Sequence, residues 1–376
     1  MASSCRVLWV VGVLVVPLLS FLAMSHLFAS VSPLSKFPRD GLNLLQKAIS
    51  QQGVDFAGPE SLAFDPNGFG PYTGVSDGRI LRWDGHSSAW ILFSTTSPNR
   101  TEECSSKKPP VMDLNLEHVC GRPLGLRFSK EGDLYISDAY YGLMVVGPNG
   151  GPARSLTTHA GGIPLHFTND VDFGDNVVYF TDSSTKFQKK QFVLMFLYGD
   201  DSGRLISFDL VTRESTVIIS NLHFPNGVAV SRDKSFLLVC ETLKQRVIRY
   251  WIRGPKAGKV EQFVALPGFP DNIRLTERDD FWVAIHAQPN WIMKLPVLVR
   301  RALLQLPVPL AGWYIQMARK QARGMVMRLG LDGQILEVLE DDQGKVAKLL
   351  SGIEEQDGVL WLGSVVLPQI LKYKLR

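Results

Sequence analysis

The chain has 376 residues, with 40 Lys plus Arg against 36 Asp plus Glu and a formal charge of +4. Hydrophobic residues make up 45% and charged residues 20%, a globular composition that excludes a disordered or collagenous chain. So small a charge over this length, with no dense Lys/Arg block, gives no electrostatic case for nucleic acid, while Gly 33 and Pro 22 favour short strands and turns.

From the N-terminus, Val7 to Met24 form an apolar run of 18 residues preceded by Arg6. That length lies between a secretory h-region and a membrane span, which needs about 20 residues. Residues 1–30 are read as a signal anchor or signal peptide and 31–55 as a linker. Either outcome sends the body of the chain into the secretory lumen. A retained run makes an endoplasmic reticulum or other endomembrane protein, held to the membrane by its N-terminal helix; a cleaved run makes a vacuolar or extracellular one. Asn99-Arg100-Thr101 is an N-glycosylation sequon in a polar stretch that reads as an exposed loop. Cys104 and Cys120 flank this loop, placed to close it by a disulfide in an oxidising compartment. Cys240, after Phe236-Leu237-Leu238-Val239, reads as a buried thiol.

From Pro59 onward a pattern recurs: a Pro or small residue, a polar residue, Gly or Asx, an alternating apolar strand, a turn, and a second apolar strand. The instances begin at Pro59, Pro123, Thr168, Pro225, Pro270 and Leu350. Period-2 alternation makes each a strand pair, with turns at KEGD, GDN, SRDKS, TERDD and EQDG. About four short strands per unit, repeated six times, predict an all-β, six-bladed β-propeller over residues 56–376. One stretch, residues 287–324, breaks the pattern and is rich in Leu, Pro and basic residues. It is read as an insertion with short helices at Ala302–Leu306 and Ile315–Arg323. It packs on one face of the propeller, with a lid over the channel or a basic amphipathic patch near the membrane as sharper readings.

The second position of the six repeats holds Glu60, Leu124, Asn169, Asn226, Asp271 and Ser351. Equivalent residues of a closed radial array lie at one height around its axis. Glu60, Asn169, Asn226 and Asp271 therefore bring four side-chain oxygens toward one point, and Asn272 adds a fifth. Oxygens alone, without Cys or His, describe a hard-cation site, and Ca2+ with its 6–8 irregular oxygen ligands suits it better than Mg2+ or zinc. Taken singly, each Asx beside Gly or Pro is equally a turn former; the shared repeat phase is what favours a metal.

CGRPLGLRF, FTNDVDF, YFTDSSTKF, FPNGVAVS, FLLVCET, RYWIRGPKAG and LPGFPDNIRL resemble the strictosidine synthase-like proteins, to which the animal adipocyte plasma membrane-associated protein is related. The resemblance runs from about Phe56 to the C-terminus. It implies a six-bladed propeller, a secretory or vacuolar location in plants, and distant kinship with paraoxonases and gluconolactonases. It also implies one calcium ion held by Glu60, Asn169, Asn226, Asp271 and Asn272. Two departures stand out. The glutamate that serves strictosidine synthase as general acid/base falls on Ser351, and the first of the paraoxonase histidines falls on Leu124. Glu354 and Glu355, a few residues along, read as solvated. The expected activity is calcium-dependent hydrolysis of esters or lactones on a small-molecule substrate, with His166 and His286 as the nearest imidazoles. The alternative is a non-catalytic binding propeller with a structural cation; a Pictet–Spengler condensation ranks last because of Ser351.

Overall fold

The structure, a computed structural model, describes residues 37–51, 53–104, 113–305 and 310–375. The anchor or signal expected on residues 1–30 lies outside them, and among the described residues no helix is long and apolar enough to cross a membrane.

Six antiparallel sheets follow one another around an axis, as the repeat predicts. Their innermost strands are Leu62–Ala63, Pro123–Phe128, Thr168–Phe173, Pro225–Val230, Phe269–Leu275 and Ile353–Gln356. Each touches the next in chain order, and the last returns to the first. Five sheets have four strands; the first gains a short parallel fifth, Gly151–Pro152. We call the side on which the innermost strands begin the upper face.

Blades stack face to face, so strands second from the axis are apolar on both sides. In the fourth blade, Phe236–Glu241 is buried throughout, which explains its unbroken apolar sequence. The core lies between blades. Leu238 and Val247 of the fourth meet Ile273, Phe281, Val283 and Met327 of the fifth, and comparable clusters fill the other gaps. Hydroxyls stitch neighbours near the axis: Thr181 donates to the Asn226 carbonyl at 2.7 Å, and Thr242 to that of Pro270 at 2.7 Å.

The segment expected to be a linker is part of the propeller. Ile49–Ser50 pairs antiparallel with Leu371–Lys374 and supplies the fourth strand of the last blade, so the ring closes by joining the two chain ends. An open strand edge is a liability, and this pairing covers it. Just before it, Leu45 is fully buried against Trp282, Leu339, Leu350 and Leu360. Arg39 donates to Glu340 at 2.6 Å, Asp40 accepts from the Glu340 backbone at 2.6 Å, and Asn43 accepts from that of Asp342 at 2.7 Å.

The 287–324 insertion contains three helices, Trp291–Lys294, Val297–Leu303 and Leu310–Lys320. They lie somewhat N-terminal of the expected spans. The Asn290 side chain caps the first by accepting from Ile292 and Met293, and Pro296 stands before the second. Together with a further helix, Phe192–Tyr198, they pack on the upper face against Leu124, Phe167, Phe224 and Phe269. Cys104 and Cys120 form a disulfide, and Asn99 is exposed in a turn just before it. Cys240 is buried, and desolvation pushes its thiol up.

Because Leu45 belongs to the core between the fifth and sixth blades, Leu45→Ala is expected to lower stability by about 2–5 kcal/mol in urea unfolding. A residue of a free linker would shift it by less than about 0.5 kcal/mol.

Candidate functional site

The repeat position singled out above sits where the innermost strands begin. In four blades the pairing slips there: between Pro123 and Gly125, Thr168 and Val171, Pro225 and Val228, and Pro270 and Ile273. Such bulges re-aim a side chain that regular alternation would send elsewhere. Glycine follows the position in three blades and permits close approach at the axis. A Cβ on Gly227 would lie 2.6 Å from the Asp271 carbonyl, and one on Gly352 only 1.7 Å from that of Glu60.

Glu60, Asn169, Asn226, Asp271 and Asn272 are all almost fully buried. Glu60 Oε2 and the Oδ1 atoms of Asn169, Asn226, Asp271 and Asn272 have no hydrogen-bond donor. One such buried acceptor costs about 1–3 kcal/mol, and five of them at the starts of four blades is a strong departure from ordinary protein interiors. The Asn169 amide is oriented by its own donor, which gives to Ser183 Oγ at 3.0 Å while Ser183 gives to the Pro225 carbonyl at 2.7 Å. That leaves Oδ1 free to face the ring. Burial pushes the Asp271 carboxyl well above the usual range, and the nearby Glu60 charge adds to the rise. Burial likewise raises Glu60, opposed by Arg122 and Lys189. Two carboxylates thus disfavour each other's ionisation beside amide oxygens that only accept. Among the described residues no group of three or more His, Cys, Asp and Glu is placed to hold a metal ion, so any cation here must use the amides. The hard, all-oxygen donor set fits a Ca2+-like ion, whose charge would satisfy the unpaired acceptors.

The two histidines separate. His286 Nδ1 lies 3.5 Å from Asp271 Oδ2, has no hydrogen-bond partner, and burial lowers the ring to about 4, so it is neutral at pH 7. His166 is half-buried in the loop before Asn169, tied down by its backbone N–H, which donates to Asp182 at 3.3 Å. Ser351 is fully buried with its hydroxyl unpaired, and its carbonyl accepts from the Asn272 backbone at 3.2 Å. Leu124 points into the apolar roof.

Two groups of charges escaped the sequence reading. Beside the ring, Arg122 is fully buried, 3.9 Å from Glu60 and 3.5 Å from Glu117, and its Nη1 has no partner. Lys189 donates to both Glu117 oxygens at 2.8 and 3.0 Å. Further down the axis, Arg274 grips Asp170 at 2.6 and 2.8 Å and reaches Ser61 at 3.0 Å. Arg127 joins Asp172 at 3.1 Å and Glu354 at 3.0 Å. Here the expectation of solvated glutamates fails: Glu354 belongs to this plug, and Glu355 accepts from Trp282 at 2.7 Å and from Arg278. Their strand lies against the axis, so a position that resembles a turn approach faces arginines instead. Below the plug, a cleft of about 330 Å³ opens at the other face, lined by Arg127, Asp172, Lys234, Glu277, Glu354 and Glu355.

A six-bladed propeller with an acceptor ring at one mouth and an ionic plug beneath it is the class these features define. Two profiles match the chain: "Strictosidine synthase" over residues 169–255 and "Strictosidine synthase-like, N-terminal" over 48–83. Strictosidine synthase-like protein 3 of Arabidopsis thaliana is 47% identical over 351 residues, 91% of this chain and 89% of the relative. The adipocyte plasma membrane-associated protein of Danio rerio is 35% identical, covering 85% of this chain and 75% of the relative. The chain belongs to the strictosidine synthase-like family. Among solved structures, a Xanthomonas campestris gluconolactonase superposes with a TM-score of 0.57 at 13% identity, covering 90% of this chain and 94% of its own. The calcium-binding protein regucalcin of Agrobacterium tumefaciens gives 0.53 at 12%, covering 88% and 94%. At these identities the likeness is one of fold.

Asp170 also accepts from the Val228 backbone at 2.9 Å, tying the third blade to the fourth. Asp170→Ala leaves Arg274 buried without its partner and is expected to cost about 3–5 kcal/mol, read by denaturant unfolding.

Proposed function

We propose that this protein is a calcium-dependent hydrolase of esters or lactones whose propeller resides in the lumen of the secretory system. The observation that carries this reading is the set of five buried oxygens without donors at the starts of four blades, one of their carboxylates 3.5 Å from the neutral His286 ring. The names of two fold neighbours, a gluconolactonase and a calcium-binding regucalcin, support it.

In this reading Glu60, Asn169, Asn226 and Asp271 hold the ion, with Asn272 as a further oxygen. A bound divalent cation polarises a carbonyl group and stabilises the negative charge that develops on its oxygen. His286 accepts a proton from water at Nδ1, the atom left free in the structure. Arg122, 3.9 Å from Glu60, keeps a buried Nη1 donor unpaired and helps hold the Glu60 carboxylate in its ionised form. The apolar roof of Phe167, Phe196, Phe224, Phe269 and Tyr314 favours a hydrophobic acyl or aryl group and excludes bulk water. Ser351 offers only a hydroxyl where condensation chemistry needs a carboxyl, which keeps a Pictet–Spengler reaction in last place. A lumenal location is supported by the exposed Asn99 turn and by the Cys104–Cys120 disulfide.

The purified protein is expected to turn over a panel of aryl esters and lactones, to lose that activity with chelator, and to regain it with Ca2+. His286→Gln should bind calcium normally and show little turnover. Loss of calcium binding in His286→Gln would make it a structural neighbour of the ion instead of a base. Asn226→Ala should lose bound calcium: at a calcium concentration about a hundredfold above Kd, wild type gains about 2.7 kcal/mol of stability that the variant lacks. Unchanged metal content in Asn226→Ala would remove the basis of the assignment. For the compartment, endoglycosidase should shift the mobility of protein from secretory-competent cells and leave Asn99→Gln unshifted.

A further inference from the structure

The roof over the oxygen ring has a second side. In the Val297–Leu303 helix, Arg300 is buried and donates to the Phe196 carbonyl, while Leu303 and Leu304 turn to the core. In the Leu310–Lys320 helix, Tyr314 and Met317 face inward. The opposite sides of both helices are bare and partly apolar: Leu298 is 77% exposed, Val299 39% and Trp313 43%. Lys294, Arg301, Lys320 and Arg323 are exposed around them. Between residues 281 and 331 the sequence contains no Asp or Glu, while 288–323 carries six Lys and Arg. Large apolar side chains ringed by one sign of charge are the composition of a surface that lies on an anionic lipid interface.

Register shows where the N-terminal apolar run must attach relative to this surface. Phe269 begins at the upper face and pairs with Ala287; Ile285 pairs with Met325, and Gly324 with Asp341. The far end of the outermost strand of the fifth blade, at Glu340 and Asp341, is therefore at the upper face as well. Arg39 and Asp40 bind Glu340 there, and Leu42, 69% exposed, lies two residues on. Only residues 25–38 separate this point from the apolar run ending at Met24, a reach of at most about 50 Å when fully extended. The start of the described chain and an apolar, basic surface thus lie on the same face of the propeller.

We infer that the outer side of the roof helices, with Leu298, Val299 and Trp313 at its centre, docks on the surface of a lipid bilayer. The short N-terminal tether holds the upper mouth toward that bilayer, and the exposed lysines and arginines contact anionic headgroups. The mouth that contains the oxygen ring then faces lipid, and the cleft beneath the plug faces the aqueous side.

The test uses the full chain in a Cys5→Ala background, reconstituted with phosphatidylcholine–phosphatidylserine vesicles and spin-labelled at single introduced cysteines. Leu298→Cys and Trp313→Cys report on the roof. Val211→Cys, 74% exposed in the turn between Asp209 and Ser215 at the opposite face, is the control. Lipid-dissolved oxygen is expected to relax the labels at 298 and 313 several-fold more than an aqueous nickel chelate, with the reverse at 211. Equal access of the nickel chelate to all three positions overturns the inference, as does a full chain that fails to float with the vesicles. Shielding of 298 from both agents, with dipolar broadening between copies, also overturns it and identifies a second copy as the occupant.

Discussion

Six strands that begin around one axis must place six side chains in a volume with room for little else. Here four of those positions carry an Asx or Glu oxygen that no donor reaches. The site follows from this shortage. Bulges turn the side chains inward, glycines let the backbones close up, and Ser183 holds the Asn169 amide by its nitrogen and leaves its oxygen free. The remaining acceptors repel one another, and a bound cation relieves that repulsion most directly.

The charges along the axis are divided by level. At the mouth, acceptors lack partners. One step down, Arg274, Asp170, Arg127, Asp172 and Glu354 satisfy one another across four blades. A paired network in a buried channel specifies which blade meets which more than it adds net stability. It lies between the ring and the cleft at the other face. The upper side is roofed by helices from two insertions, one in the third blade and one in the fifth.

The six equivalent positions of this scaffold carry different side chains in this chain. Ser351 and Leu124 show how this works: each keeps its place in the ring, yet one has a hydroxyl and the other has joined the apolar roof. The roof is less constrained, since its helices contact the propeller mainly through apolar side chains.

Fold class, blade number and the phase of the oxygen ring were legible in the sequence because alternation and repeat spacing are local properties that the chain writes directly. The same locality made Cys240 readable as a buried thiol, and the polar stretch around Asn99 as exposed. What could not be read depends on contacts between residues far apart. Residues 37–50 resemble a linker because their partners, Glu340 and Leu371–Lys374, lie some three hundred residues away. Arg122, Glu117, Lys189, Arg274 and Asp170 look like ordinary surface charges until closure of the ring buries them together. His286 and His166 were equivalent on paper, and strand pairing in the fifth blade brought one of them to Asp271. The sequence by itself determined the repeat and the donor chemistry at its start. Tertiary structure decided which donors meet, because burial and long-range pairing exist only once the two ends of the chain have joined.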